Sequence, residues 1–527
     1  MPDIADSYDV IIIGAGHNGL TAGTYLQRAG YRVLVTDRQA TAGGLSQATN
    51  VIPGAPNHIA HTATGELIHI RASPVLQELE LARHGLKMVD TDPSYAYLDP
   101  DGGSIAIFRD PKRTAEDIAR YSKADATAYL EFVELIDALM AFGGAMGKGD
   151  PAIPSLGRYF DIAKVAVRNR RLKSKLQLIA AASAEQLAFE WFEHPATQAF
   201  MLSMGAMPGP FDMDGNAIGY ALLGLLHRVG VGKPVGGMQN LANAFAGAYA
   251  ESGGALLLNS HVDHIHIEGG SMRGIALADG RTIKARAVIS TQDPTTAAAM
   301  IGGGGLDRVT RARMEHAPSN LHNVGPSLIN VATAAPIRLR RHQDLRHDDA
   351  DLNKATCLIG SAPELQRALK AARRGTVPTD PVFALSPMTN WDESLAPSGQ
   401  GYAYLYLHVF PVEVNEGWDK LKAPAADAVI ARAAEYYTGF DSELGRWFET
   451  CPERASRVNI TNGAAGHVDF GSFRTGAKRP GIGIGGPGPL APGFFLGGAA
   501  IHPGPGVSGN PGRLVAGRVQ TWLKGNR

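Results

Sequence analysis

Gly14, Gly16 and Gly19 stand at the spacing of a phosphate-holding turn, in the run Gly14-Ala15-Gly16-His17-Asn18-Gly19. Gly14 makes a tight turn. Gly16 has no side chain to keep a pyrophosphate from the backbone, and Gly19 lets a helix pack closely on a strand. The helix start then offers free N–H groups and a positive dipole end. Asp37 follows about twenty residues on, where a carboxylate accepts hydrogen bonds from ribose hydroxyls and disfavours a 2′-phosphate. The same glycine pattern recurs at Gly481, Gly483 and Gly504. Only the first lies between a clear strand and a helix, with the acid in place.

Two further glycine clusters suggest a long cofactor. Gly43-Gly44 follows Asp37 closely, and Gly497 to Gly509 (GGAAIHPGPGVSG) leads from a strand into a helix. The first motif does not separate FAD from NAD, since both contain ADP-ribose. The second helix start suits an electron-rich group such as a flavin's pyrimidine edge, so FAD is the expected cofactor. His17, Asn18, Arg38 and Leu45 stand inside these segments and count with the cofactor-binding residues.

These groups need elements to position them. Asp9 to Ile13 is a β-branched run typical of a buried strand. A helical stretch follows, closed by Gly30, then a strand from Tyr31 to Thr36. From Arg113 to about Met146 apolar residues recur at helical spacing, and a second helical stretch runs from about Ser155 to Phe192. Strand-like sequence returns at Ala255 to Ile267, Arg273 to Leu277 and Ala285 to Ser290, with turns between them. Tyr402 to Val409 reads as sheet, Gly493 to Leu496 as a strand, and about Pro511 to Leu523 as the final helix.

Composition narrows the function. Glycine supplies 63 of 527 residues, yet 44% are hydrophobic and the charges cancel at 50 each, which excludes a disordered chain. Zero net charge argues against nucleic-acid binding through a basic surface. Cys357 and Cys451 lie far apart, so neither a dithiol pair nor a zinc cluster is expected. The acidic N-terminus lacks the features of a signal peptide, and the uncharged run from Pro480 to Gly512 carries seven prolines and twelve glycines, which no membrane helix tolerates. The expected location is cytoplasmic. Arg158 to Lys175 has seven basic residues and one acid; it reads first as a solvated helix face and second as a peripheral membrane contact.

The segments 9–46, 231–265 and 494–513 resemble phytoene desaturase-type and carotenoid-isomerase-like flavoproteins, in the pyridine nucleotide-disulphide oxidoreductase domain 2 subgroup. The resemblance is weak across about 70–230 and 305–465. It implies an α/β Rossmann-type FAD domain, discontinuous at 1–70, 231–304 and 466–527. An α+β substrate domain at 71–230 and 305–465 would interrupt it. It also implies that Gly14, Gly16 and Gly19 hold the pyrophosphate, Asp37 the ribose, and Gly44 a place beside the cofactor. Val262 would meet the adenine, and Gly498, Gly506, Val507 and Ser508 the phosphate-to-flavin end. Relatives usually carry Glu at the place of Asp37 and often Gly at that of Pro505.

Gly236-Gly237-Met238 also matches this family and would sit at the domain junction. Gly237 and Met238, with His58 and His61, are the candidates to line the substrate. His502 is the first-ranked catalytic candidate, since the resemblance places it near the isoalloxazine and histidine can shuttle a proton. The expected activity is an FAD-dependent oxidoreductase taking a hydride from a C–H bond of a largely apolar small molecule, with oxygen or a quinone as acceptor. An amine or amino-acid oxidase, a redox-neutral isomerase and a non-catalytic flavin carrier remain open.

Overall fold

The computed structural model describes residues 4–147, 149–302 and 304–526. The first three residues, Lys148, Gly303 and Arg527 lie outside the described residues.

The first β-branched run forms the strand Ser7–Ile13, whose last four residues are buried. It lies between Val33–Thr36 and Thr282–Ser290, parallel to both. Ala255–Leu257 adds beyond Val33–Thr36, and Phe494–Leu496 pairs with the end of Thr282–Ser290, again parallel. Parallel neighbours need crossovers, and strands covered on both faces become continuously apolar. Helices His17–Arg28, Met238–Glu251 and Asn510–Gly525 supply that cover: Leu20, Leu241 and Val515 share one core with Val10, Ile12 and Val288.

Strand Thr282–Ser290 joins two kinds of pairing. Residues 282–284 pair antiparallel with 274–276 in a three-strand meander, whose outer strand is Val262–Glu268. Residues 288–290 instead pair parallel with Phe494–Leu496.

A second seven-stranded sheet has the order 443–449, 324–333, 401–411, 383–387, 356–359, 95–98, 104–107. It is antiparallel except where 356–359 meets 95–98. Alternation along Gly401–Pro411 sorts its faces. Ala403, Leu405 and Leu407 pack with Val429 and Ala433 of helix Trp418–Tyr436. Tyr402 and Tyr404 pack the other way, with Ile52, Ala60 and Met388.

Three stretches differ from the sequence reading. The helix expected from Arg113 to Met146 is two, Pro111–Ala119 and Lys123–Met146, because Ser122 caps the second by accepting from the Asp125 N–H. The stretch from Ser155 to Phe192 breaks into Leu156–Arg168, Lys173–Ala181 and Ala184–Trp191, with a 3-10 turn after the first. Ser183 and Gln186 form a capping box that starts the last helix. The strand expected from Ala255 to Ile267 divides at Asn259, which adopts φ +53°; its two halves join opposite ends of the first sheet.

Candidate cofactor and active site

The glycine turn is built by close backbone packing. Gly14 has φ +107°, and a Cβ there would stand 2.2 Å from the Thr291 Oγ1. A Cβ on Gly19 would lie 2.0 Å from the Gly14 carbonyl oxygen, so no larger residue fits between helix and strand. Helix His17–Arg28 begins at Gly16 with no side-chain cap and no acid in its first turn. Its first N–H groups therefore stay open for an anion. The Gly43-Gly44 pair folds back onto this turn: the Gly43 N–H donates to the Ala15 carbonyl over 2.9 Å, and Gly16 and Gly43 form a short parallel bridge.

Asp37 organises the same turn. One carboxylate oxygen accepts from the Ala15 N–H over 2.7 Å, and the other from the Gln39 N–H over 2.8 Å. Burial pushes its pKa up, against these bonds and the neighbouring Arg38 charge. Arg38 in turn donates to the Ser456 carbonyl.

A single cleft is lined by Gly14, Gly16, His17, Asn18, Asp37, Arg38, Gly43, Gly44, Leu45, Val262 and Gly498. Gly19 stands behind it as the packing glycine. Gly506, Val507 and Ser508 are not among the residues that line this cleft. Gly506 backs onto the His69 ring, and Val507 is buried in the core of the first sheet. The Ser508 hydroxyl accepts from the Asn510 N–H at the start of the last helix. Met238 is also fully buried, in that core. His502 lines a separate cavity beside Asp150 and Arg518.

The cleft also gathers residues the sequence reading missed. Thr291 and Gln292 lie just past the end of Thr282–Ser290, while Asn459, Ile460, Ala465 and His467 come from the weakly similar region and its edge. The available signal was the strand-to-helix passage STQDP, in which Asp293 caps helix Pro294–Met300 and also accepts from the Thr461 N–H and hydroxyl. Burial, with the charge of His467 as a lesser cause, pulls His17 down to about 4; burial first, with Arg479 opposing Asp293, does the same for His467. Both rings are neutral at pH 7. Behind the wall, the buried Arg479 donates to the carbonyls of Ala499, Gly466 and Val468, and burial lowers its pKa to about 9.

Beyond Gly237 lies the junction with the second sheet. A Cβ on Gly237 would stand 3.6 Å from the His61 Nε2, which is buried without a partner. Tyr402 stacks on His61 at 6.1 Å and Tyr404 meets it edge-on at 6.4 Å. The Tyr402 hydroxyl accepts from the His61 N–H and donates to Asn330 over 2.6 Å. Burial, then the charge of Lys233, holds His61 down at about 3. His58 is buried nearby, and neither ring nitrogen has a partner. Lys233, fully buried, donates to the Ser386 hydroxyl over 2.7 Å and pairs with Glu66 at 3.3 Å. His408 is buried on the same strand as Tyr402, away from the cleft lining.

The residues present fit a dinucleotide. His17 Nε2, Asn18 Oδ1 and Ser46 Oγ are buried without partners around the turn, the helix start is open, and no side chain fills the space before Gly16 and Gly44. Residues 19–364 match the family model for flavin containing amine oxidoreductases, and the chain belongs to that family. It is a flavoprotein oxidoreductase, and its cofactor is FAD. Within the family it is similar to pyridine nucleotide-disulfide oxidoreductase domain-containing protein 2 of Rattus norvegicus, 26% identical over 98% of this chain and 94% of the relative. It is also similar to one of the chains of limonene dehydrogenase from Castellaniella defragrans, 24% identical over 94% and 91%. A neurosporene-forming phytoene desaturase of Rhodobacter capsulatus is 27% identical over 54% and 52%. The fold is that of a solved putrescine oxidase, which overlays with a TM-score of 0.58 at 15% identity over 98% of each chain.

Proposed function

We propose that this protein is an FAD-dependent dehydrogenase or oxidase that removes a hydride and a proton from adjacent carbons of a largely apolar small molecule, leaving a double bond. Bound FAD supplies the hydride acceptor, and the two electrons then pass to oxygen or a quinone. In this reading the segments 1–70, 231–304 and 466–527 form the cofactor unit, and 71–230 and 305–465 the substrate unit. The distribution of strands between the two sheets supports that division. Gly14, Gly16, Gly43 and Gly44 would admit the cofactor's phosphates, with Asp37 at the ribose and Val262 at the adenine. His58, His61 and Gly237 would face the substrate.

The observation that carries this reading is the character of the junction beyond Gly237. Tyr402, Tyr404, Leu328, Ala332 and Met388 make it apolar and aromatic. Its buried acids are already committed, Glu66 to Lys233, Glu449 to Arg454 and Arg457, and Asp392 to the N–H of Gly236 and the N–H and hydroxyl of Ser394. An ammonium substrate needs an anchoring carboxylate, since a buried charge without a partner is costly. A neutral hydrocarbon needs only shape and dryness, and His61 is held neutral. The residues here position the substrate and exclude water. The names of limonene dehydrogenase and phytoene desaturase point to the same substrate class.

The test is anaerobic bleaching of the purified yellow protein by a panel of terpenes, polyenes and amines. Bleaching by an unsaturated hydrocarbon, with a product two hydrogens poorer, is the expected result. Bleaching by an amine alone, with hydrogen peroxide released in air, would sink the proposal in favour of an amine oxidase.

A further inference from the structure

A cavity of about 960 Å³ lies between the end of helix Lys123–Met146 and one side of the last helix, Asn510–Gly525. It shares no lining residue with the cofactor cleft. The two are nevertheless one short loop apart: Ala499 lines the cleft and His502 the cavity, a span of at most about 11 Å along the chain. Its volume is at the upper end of the roughly 300–1,000 Å³ that holds a drug-sized molecule. Glycines keep it open. Gly143, Gly144, Gly488 and Gly517 line it, and a Cβ on any of them would meet nothing within 4 Å. Leu514, Trp522, Ile153, Pro487 and Pro489 give it apolar walls.

Its polar end is positive. Arg513 and Arg518 line the cavity, and Asp150 is the one acid among the described residues that do so. Arg513 pairs with Glu78 at 3.0 Å. Arg518 is buried and held in a fixed orientation: its Nε and Nη2 donate to Asp150 over 2.6 and 2.9 Å. Its Nη1 makes no hydrogen bond among the described residues. Two more buried guanidiniums stand behind the wall. Arg158 donates to the carbonyls of Asp150 and Ile153, and Arg479 to those of Ala499, Gly466 and Val468. Among the described residues neither is in an ion pair. Burial first, then Arg518, Arg479 and Arg158 against Asp150 alone, hold the His502 ring down at about 4. Three cations thus face one carboxylate, and a buried charge without a counter-charge is costly.

We propose that this cavity is a second small-molecule site, which takes an organic carboxylate with an extended apolar body. The carboxylate sits at the Arg518–His502 end, and the body lies along Leu514 and Trp522. A guanidinium already oriented by Asp150 offers a ligand carboxylate a fixed donor. A few placed polar groups at one end of an apolar cavity are the usual make-up of such a site. A cation would be repelled by the three arginines. A neutral hydrocarbon would leave their excess charge unmatched, and inorganic phosphate would leave the apolar walls uncovered. The inference does not depend on the reaction proposed above, since it concerns binding and needs no turnover.

The experiment is calorimetric titration of the FAD-loaded full chain with decanoate, methyl decanoate and inorganic phosphate. Decanoate should bind. Methyl decanoate, with the same body and no charge, should bind at least about ten-fold more weakly. Phosphate should bind no better than the ester. Gly144→Leu and Gly517→Leu each put a side chain into the cavity from a different helix, where a Cβ meets no neighbour. Each should weaken decanoate at least about ten-fold and keep the parent's flavin spectrum and melting temperature. Should one of the two fail to fold, the other still decides. Four results would each overturn the inference: decanoate that does not bind, an ester that binds as tightly, phosphate that binds as tightly, or a folded, filled variant with the parent's decanoate affinity.

Discussion

Replacing Lys233 by methionine tests how the two sheets are joined. Lys233 belongs to the strand Val231–Pro234, immediately before the Gly236-Gly237 turn. Its side chain is fully buried, and its ammonium reaches Ser386 at 2.7 Å, Thr356 at 3.3 Å and Glu66 at 3.3 Å. Thr356 and Ser386 belong to the second sheet, so one cation ties that sheet to the turn beside the cofactor unit. Lys233→Met leaves the Glu66 carboxylate, only 13% exposed, with the Tyr95 and Thr356 hydroxyls as its donors. Uncovering one member of a buried pair costs about 3–5 kcal/mol. Glu66→Gln in the same chain removes the stranded charge, and the pair of changes should cost about 1 kcal/mol or less. The assay is thermal unfolding of the holoprotein followed by flavin fluorescence, with single and double variants compared in a cycle. A single variant as stable as the parent, or a double variant at the sum of the two singles, would refute the account.

Gly19→Ala should abolish FAD retention, because its methyl meets the Gly14 carbonyl at 2.0 Å; Gly517→Ala, with nothing within 4 Å, should retain FAD and gain about 0.5–1 kcal/mol. Flavin content after gel filtration separates the two. Asp37→Asn keeps one acceptor for the two N–H groups of Ala15 and Gln39, so FAD affinity should fall about 10–100-fold in a titration of the apoprotein. Acidification should unfold the protein steeply. Burial holds His17, His408, His467 and His502 at about 4 and His61 at about 3, while the unfolded chain binds those protons near 6.5. Their contribution is complete above 6.5 and is lost as pH falls, each histidine adding about 1.4 kcal/mol per pH unit. A melting temperature constant from pH 6.5 to 4.5 would contradict this.

The first sheet was legible because its strands are short apolar runs bounded by glycine turns, and the local signal from Asp9 to Asp37 agrees with the tertiary arrangement. Helix breaks at Ser122 and Ser183 were less legible. A capping serine inside a continuous apolar period is overridden or obeyed according to packing that one chain's pattern does not show. The cleft's glycine-lined side was readable from the sequence, since glycines report backbone geometry. Its far wall was not, since Asn459 and His467 reach it from over 400 residues away in sequence, and no local period encodes that distance. His502 illustrates the same limit: its neighbourhood in the motif is clear, and its side chain points to a different cavity.

Strand Thr282–Ser290 has a consequence for how the chain is made. It fills the flank of Ser7–Ile13, and its own flank is completed only by Phe494–Leu496. On the ribosome the first strand of the cofactor unit therefore waits, with one edge unpaired, while more than 270 residues are synthesised. It waits nearly 500 residues for the sheet to close. At about 5–20 residues per second that interval is roughly 25–100 s. An unpaired apolar edge is a template for aggregation, so the early chain needs shelter through this period. Holoprotein yield should therefore rise when holdase chaperones are supplied during translation.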